Sequence, residues 1–386
     1  MNIKNVHAFE IDFSRMRKKA KAPLARKGLE PAGPMERYPG YKGHRSRVGP
    51  TWKHAACVVE ADDGTFGLGL TNNAGPVISI INDHYRAQLA GEPVMATEKC
   101  FDMMVRMSAS YGSQGVTSHA ISAVDLALWD LKGKLLQRPV YELLGGPQKD
   151  KIFCYATGFD IEWYLELGFG AVKLPMPYGP EDGIDGLHRA EEMVAHTREK
   201  IGDEVELMLD CWMALDVEYT VRLAEVLKPY RLRWIEDFLL PDDLAGFAAV
   251  RRRLPGQGLA TGEHWYLAPP FSLAAEQRLV DIFQPDVKWV GGISAAVRIC
   301  HIAEAAGLDV VPHGGMNDPY GQHLIFAMPA AGWGERSSGV SPPGVPLADM
   351  VDLPGTAVIQ DGYLVPSDAP GFGFEVDQVW LEQAAV

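Results

Sequence analysis

The chain has 386 residues, enough for two or three domains and at least one large core. Hydrophobic residues make up 47% and charged residues 22%, ordinary for a soluble globular protein, and the longest apolar stretches are too short to span a bilayer. The formal net charge of −14 argues against a nucleic-acid partner, and an anionic ligand on so acidic a surface would need a local positive group such as a metal ion.

The first segment, MNIKNVHAFEIDFSRMRKKAK, predicts a strand to about residue 18 and has no apolar core of signal-peptide length. Residues 18–50 are basic, rich in Pro and Gly and without periodicity, which predicts a long loop, functional or disordered. CVVEADDGTFGLGL then reads as a hairpin turning at Asp63-Gly64. Helical runs follow in VISIINDHYRAQLAG, TEKCFDMMVRMSAS and SHAISAVDLALWDLKGKLLQ. The last has apolar residues at 121, 124, 128, 131 and 135, and Pro139 lies just beyond its end. Residues 1–145 therefore predict a small α+β domain. The five cysteines are scattered, odd in number and form no CxxC pair, so they predict buried thiols in a reducing compartment, consistent with a cytoplasmic protein.

From about residue 151 the pattern alternates. KIFCYA, AVKL, VELMLD, RLRWIE, GLATGE, DIFQPD, LDVVPH and the short GWGER read as strands, with helical runs such as DGLHRAEEMVAHTREKI, DVEYTVRLAEVL and ISAAVRICHIAEAAG between them. Eight strands alternating with helices predict a (β/α)7β-type TIM barrel over residues 146–340, capped by the N-terminal α+β domain. Residues 341–386 are loop-rich and are expected to return to the first domain.

Asp210, Glu236 and Glu263 close three successive strand runs, at spacings of 236 − 210 = 26 and 263 − 236 = 27. That step is about one strand, one helix and two loops, so the three carboxylates are expected side by side at one end of the barrel. Each alone could cap the next helix. Together they predict a site for a hard divalent cation, Mg²⁺ above others. Asp286 and His313 end the next two strands at the same step, 313 − 286 = 27. A histidine backed by an aspartate is a general base with a fixed tautomer, although a lone histidine is more often simply packed. Lys173 ends the second strand. It is either a surface lysine or, in an acidic mouth, a group that binds a substrate carboxylate or acts on a proton. Glu335, on the eighth strand, points to the same mouth. His264 directly follows Glu263 and either reaches a substrate or packs on its loop.

These residues resemble the enolase superfamily, mandelate racemase subgroup, and more narrowly the L-rhamnonate dehydratase group. The matching stretches are SAVDLALWDLKGK, VYELLGG, CYATG, Lys173-Leu174-Pro175, LMLDCWM, WIEDFLLPDD, TGEHW, QPDVKWVGG, VVPHG and PGFGFEV. The resemblance implies one Mg²⁺ per subunit on Asp210, Glu236 and Glu263. It makes His313, oriented by Asp286, the base that takes the proton α to a carboxylate, and gives Glu335 and Lys173 catalytic roles. The product would be a 2-keto-3-deoxy acid. His264, Lys173 and the loop residues Arg45 and Arg47 are the implied substrate contacts, with Arg26, Arg37 and His44 in the same loop. Racemases of the subgroup carry Lys-x-Lys on the second strand, whereas this chain reads Lys173-Leu174-Pro175, which favours dehydration over racemisation. Trp265 also stands where the resemblance suggests a second histidine. The implied substrate is a small sugar acid: L-rhamnonate first, with L-lyxonate and L-mannonate open. An epimerase or racemase of the same superfamily is the alternative, and a barrel that keeps its metal without catalysis is a third reading. The implied assembly is a symmetric homo-oligomer, up to an octamer.

Overall fold

The computed structural model describes residues 1–15, 30–43, 48–337 and 340–386. The strands β1 (Ile3–Ile11), β2 (His54–Ala61) and β3 (Phe66–Thr71) form an antiparallel sheet in that order. β1 is shorter than its sequence suggests. Asp12 accepts the Ser14 N–H at 2.9 Å, an Asx-type turn that leads the chain into a 3-10 helix, Phe13–Arg15. The β2–β3 turn is at Asp63-Gly64, with Gly64 at φ +86° and Thr65 N–H on the Asp63 carboxylate at 2.9 Å.

The helix Val116–Leu136 covers this sheet. It comes so close because β3 offers Gly67 and Gly69 on the face beneath it. A Cβ at Gly67 would strike the Ala127 carbonyl oxygen, and one at Gly69 that of Ala123. Gly69→Ala is therefore expected to destabilise the fold by about 1–3 kcal/mol, read as a lower urea midpoint at unchanged m-value.

The second sheet contains β4 (Ile152–Thr157), β5 (Ala171–Pro175), β6 (Glu206–Asp210), β7 (Ile235–Glu236), β8 (Leu259–Thr261), β9 (Ile282–Phe283), β10 (Asp309–Val310) and β11 (Trp333–Arg336). Their order is β10-β9-β8-β7-β6-β5-β4-β11, parallel throughout. A bridge from Val310 to Ala331 spans the remaining gap, so the eight strands nearly close into a barrel. Tyr155, Ala171, Met208, Trp234, Ala260, Ile282 and Val311 pack together inside it, a filled core and not a pore. Among the described residues no helix is long and apolar enough to cross a membrane.

The end of the chain runs back over both parts. β12 (Tyr363–Leu364) adds antiparallel to β4, Gly371 exchanges backbone hydrogen bonds with Arg138 and Val140, and Ala385 bridges Ile11. Asp130, buried in the covering helix, accepts the N–H groups of Leu68 at 2.9 Å and Phe372 at 3.0 Å and pairs with Lys134 at 2.7 Å. One side chain thus ties β3, the helix and the returning segment together.

A polar stripe docks the same helix on the barrel. Ser118 donates to the Trp289 carbonyl at 2.6 Å, Ser122 accepts from the N–H groups of Gly291 and Gly292 at 2.8 and 3.1 Å, and Asp125 accepts from Ser294 N–H at 3.0 Å and its hydroxyl at 2.5 Å. Burial pushes the Asp125 carboxyl up to about 7.

Two buried histidines each weaken the folded state in acid. His323 is fully buried and accepts the Tyr141 N–H on Nδ1 at 3.2 Å, a bond that protonation there would break. Burial lowers its pKa to about 3, and that of His119 to about 4. The unfolded chain takes up these protons near 6.5, so stability falls as pH drops below that value. Each histidine is expected to remove about 2 kcal/mol at pH 5. In His323→Gln, the slope of unfolding free energy between pH 6.5 and 5 is expected to be shallower.

Candidate active site

The layer above the barrel core follows from the two-residue period of a strand. Tyr155, Ala171, Met208, Trp234, Ile282 and Val311 point inward as core, so Thr157, Lys173, Asp210, Glu236, Gln284 and His313 take the next inward position toward the C-terminal end. Glu335 stands two residues beyond Trp333 on β11, paired in register with Tyr155.

Lys173 lies inside the barrel, with no exposed surface. Its ammonium is bonded to Glu236 and lies 2.8 Å from Glu335 and 3.6 Å from Asp210. Burial works against the charge, but these carboxylates overcome it and hold the lysine pKa well above its usual value. Of the two readings of Lys173, the surface lysine is excluded, and the side chain is a buried cation in the acidic mouth. Glu335 also accepts from Thr157 Oγ1 at 2.5 Å and from Gly314 N–H at 2.8 Å. Although burial raises its pKa, Lys173 and His313 bring it down to about 2. The other oxygen of Glu236 accepts from Trp234 Nε1 at 2.9 Å and Gln284 Nε2 at 2.6 Å.

Glu263 lies beside two imidazoles. His313 Nε2 is 3.1 Å from one of its oxygens and His264 Nδ1 is 3.3 Å from the other. His313 Nδ1 is 2.9 Å from Asp286, and Asp286 is itself fixed by the Lys288 N–H at 2.8 Å. Burial disfavours the imidazolium of His313, but Glu263, Asp286 and Glu335 outweigh it and raise the pKa to about 10. His264 Nδ1 also meets Asp237 at 3.0 Å, and Asp237 accepts the Thr261 hydroxyl at 2.5 Å. The site thus holds two His–Asp pairs. The second has the spacing of the first, 264 − 237 = 27, a signal present in the sequence but masked because both residues directly follow proposed ligands.

A cavity of about 480 Å³ opens above this layer, between the two sheets' loops. Trp52, Lys53, His54 and Asn72 come from the N-terminal side, and Trp212, His264, Tyr266 and Trp289 from the barrel. Trp289 is 5.0 Å ring to ring from His313 and 6.1 Å from His264, so it forms part of the wall between the cavity and the acid cluster. The size suits a small polar ligand. Arg37 is placed in a 3-10 turn, Pro34–Arg37, beside a neighbouring cavity of about 190 Å³. Arg26, His44, Arg45 and Arg47 lie outside the described residues.

The donor atoms fit a hard divalent cation. They are carboxylate oxygens on neighbouring strands, Asp210 pairing in register with Glu236. Burial raises Glu236 and Glu263 above the usual carboxylate range, with nearby carboxylates adding to the shift, a concentration of negative charge that a cation would relieve. Among the described residues, the ligand atoms lying within 4.8 Å of one another are those of Asp237, Glu263 and His264. That set shares only Glu263 with the sequence triad. Asp237 is the weaker candidate, because its two oxygens already serve Thr261 and His264. Asp210 and Glu236 are drawn instead toward the Lys173 ammonium.

Residues 161–380 match the model of the enolase C-terminal domain-like family, and residues 50–145 match that of the mandelate racemase / muconate lactonizing enzyme N-terminal domain. The chain belongs to the mandelate racemase subgroup of the enolase superfamily. An L-rhamnonate dehydratase of Saccharopolyspora erythraea is 40% identical over 354 residues, covering 90% of this chain and 89% of that one. The crystal structure of rhamnonate dehydratase from Gibberella zeae complexed with Mg superposes with a TM-score of 0.91 at 31% identity, covering 100% of this chain and 96% of that one. A racemase from Streptomyces coelicolor A3(2) with bound magnesium follows at 0.80 and 26%, covering 100% of both chains. The enolase-superfamily membership accounts for the two-part architecture: a sheet-and-helix domain set against the C-terminal mouth of a barrel.

Proposed function

We propose that this chain is a Mg²⁺-dependent dehydratase of sugar acids that takes L-rhamnonate to its 2-keto-3-deoxy acid. The observation that carries the reading is the setting of His313, with Nδ1 held by Asp286 and Nε2 turned to the acid cluster. The relatives named rhamnonate dehydratase supply the substrate class.

Asp210, Glu236 and Glu263 would hold one Mg²⁺. When bound, it would neutralise the charge that develops on the substrate carboxylate as the neighbouring C–H bond breaks. His313 takes the C2 proton on Nε2, and Asp286 keeps that nitrogen free to accept by holding the proton on Nδ1. Glu263 now pairs with Nε2 and holds the imidazole in its acid form, so the base form requires Glu263 to be engaged elsewhere. The C3 hydroxyl leaves as water, taking a proton from the His313 imidazolium. The Lys173 ammonium steadies the charge beneath the carboxylate, and the ionised Glu335 holds that ammonium in place. Residues 1–145 would cap the barrel of residues 146–340, with residues 341–386 returning to the cap.

The pair His264–Asp237 favours one second reading. A second oriented imidazole could return a proton to the opposite face of C2, as an epimerase requires. In the dehydratase, the same imidazole would instead bind the substrate. A panel of five- and six-carbon aldonates, assayed for 2-keto-3-deoxy acid with Mg²⁺ present, separates these readings. Turnover of L-rhamnonate, L-lyxonate or L-mannonate is expected, and failure on all of them would remove the proposal.

A further inference from the structure

Trp212 has φ +37°, and Met213 after it has φ +62°. A bulky side chain holds such a backbone only where its surroundings fix it, and these conformations gather at functional sites. Here the Trp212 N–H donates to Asp210 at 3.1 Å, and the Met213 N–H donates to the Asp237 carbonyl. The indole thereby forms one wall of the 480 Å³ cavity, edge-on to His264 with ring centroids 6.3 Å apart at 67°.

Gly33 lies against the indole. A Cβ at position 33 would stand 2.8 Å from Cζ3 and 3.0 Å from Cε3 of Trp212. Gly33 has φ −154° and ψ 174°, extended backbone that any residue adopts. The local backbone does not require glycine; the space left by Trp212 does. The segment carrying Gly33 is anchored on the barrel loops, with Ala32 N–H on the Met176 carbonyl at 2.7 Å and Lys42 on Asp182 at 2.5 Å.

We propose that Trp212 is the wall that reads the length of the sugar-acid chain and that Gly33 sets where this wall stands. The proposal rests on the sugar-acid reading above. A flat indole packs against the C–H face of a polyol, and its position fixes the room left beyond the reacting carbons. Displacing the wall by about a methyl group should matter as one methylene does in a pocket, about 10-fold or more.

The test compares wild type, Gly33→Ala, Trp212→Leu and the double variant, loaded with Mg²⁺. The substrates are L-rhamnonate and L-mannonate, with six carbons, and L-lyxonate, with five. KM and kcat are measured, and calorimetry gives Kd for the same acids. Gly33→Ala is expected to raise KM and Kd for the six-carbon acids about 10-fold and for L-lyxonate less than about 3-fold, leaving kcat within about 3-fold. In the Trp212→Leu background the Gly33→Ala effect should disappear, since the colliding ring is gone. An equal loss on all three acids, a loss confined to kcat, no change on any acid, or the same effect in both backgrounds would overturn the proposal. A wild type that binds the acids without turning them over, with the length-dependent shift in Gly33→Ala intact, would sink the dehydratase reading and support the wall. A wild type that neither binds nor turns them over removes both.

Discussion

His313→Asn is expected to lower kcat for sugar-acid dehydration by about 10³-fold, within the range that a positioned acid–base group supplies. Asparagine can still hydrogen-bond to Asp286, but it has no nitrogen that accepts and returns a proton at working pH. KM should move by only a few-fold, because the metal ligands and cavity walls remain. The loss is then one of transition-state stabilisation and not of binding. Asp286→Asn should fall in the same direction by about 10² or more, since a neutral amide that can also donate replaces the carboxylate 2.9 Å from Nδ1 that fixes its proton and stabilises the imidazolium. Steady-state kinetics with a circular dichroism control reads both. A His313→Asn protein with kcat within about 10-fold of wild type would take this residue out of the reaction.

Stripping the protein with a chelator is expected to abolish turnover, and adding Mg²⁺ to restore it. The same binding should be visible without catalysis. At about 100 times Kd, a ligand that binds only the folded state adds about 2.7 kcal/mol of stability, seen as a rise in melting temperature. In Glu236→Gln both responses should be lost, because one of three charged oxygen ligands becomes a neutral amide. Glu236 also neutralises the buried Lys173, so the metal-free Glu236→Gln protein should be less stable than wild type, with Glu335 limiting the loss. A Glu236→Gln melting temperature that rises with Mg²⁺ as wild type does would contradict the ligand assignment.

The barrel was legible because its eight strands are short apolar runs separated by amphipathic helices, and the observed strands fall within or against all eight runs. The strand-end residues were legible for the same reason. A repeat of 26 or 27 residues returns the chain to the same height on the next strand, so equal steps between charged residues report spatial register.

What escaped the sequence reading depends on facing and close approach, which spacing alone does not encode. For Lys173 the sequence left a surface lysine and a group in the acidic mouth both open, and β5 decides between them by pointing the side chain inward among Glu236, Glu335 and Asp210. The apolar period of the helix Val116–Leu136 marks a buried helix without saying what each face meets. The stripe Ser118, Ser122 and Asp125, at steps of four and three, was the matching signal for the face that docks on residues 289–294. Trp212 offered no cue at all, since nothing in LMLDCWM announces a left-handed backbone. The proline- and glycine-rich loop hid two 3-10 turns, Pro34–Arg37 and Pro39–Tyr41, too short to produce a period.

The most direct measurement follows L-rhamnonate by NMR in deuterated water with the Mg²⁺-loaded protein. Conversion to the 2-keto-3-deoxy acid is expected, at a rate that His313→Asn nearly removes. Recovered acid carrying deuterium at C2, with no keto acid formed, would show proton exchange without loss of water and contradict it.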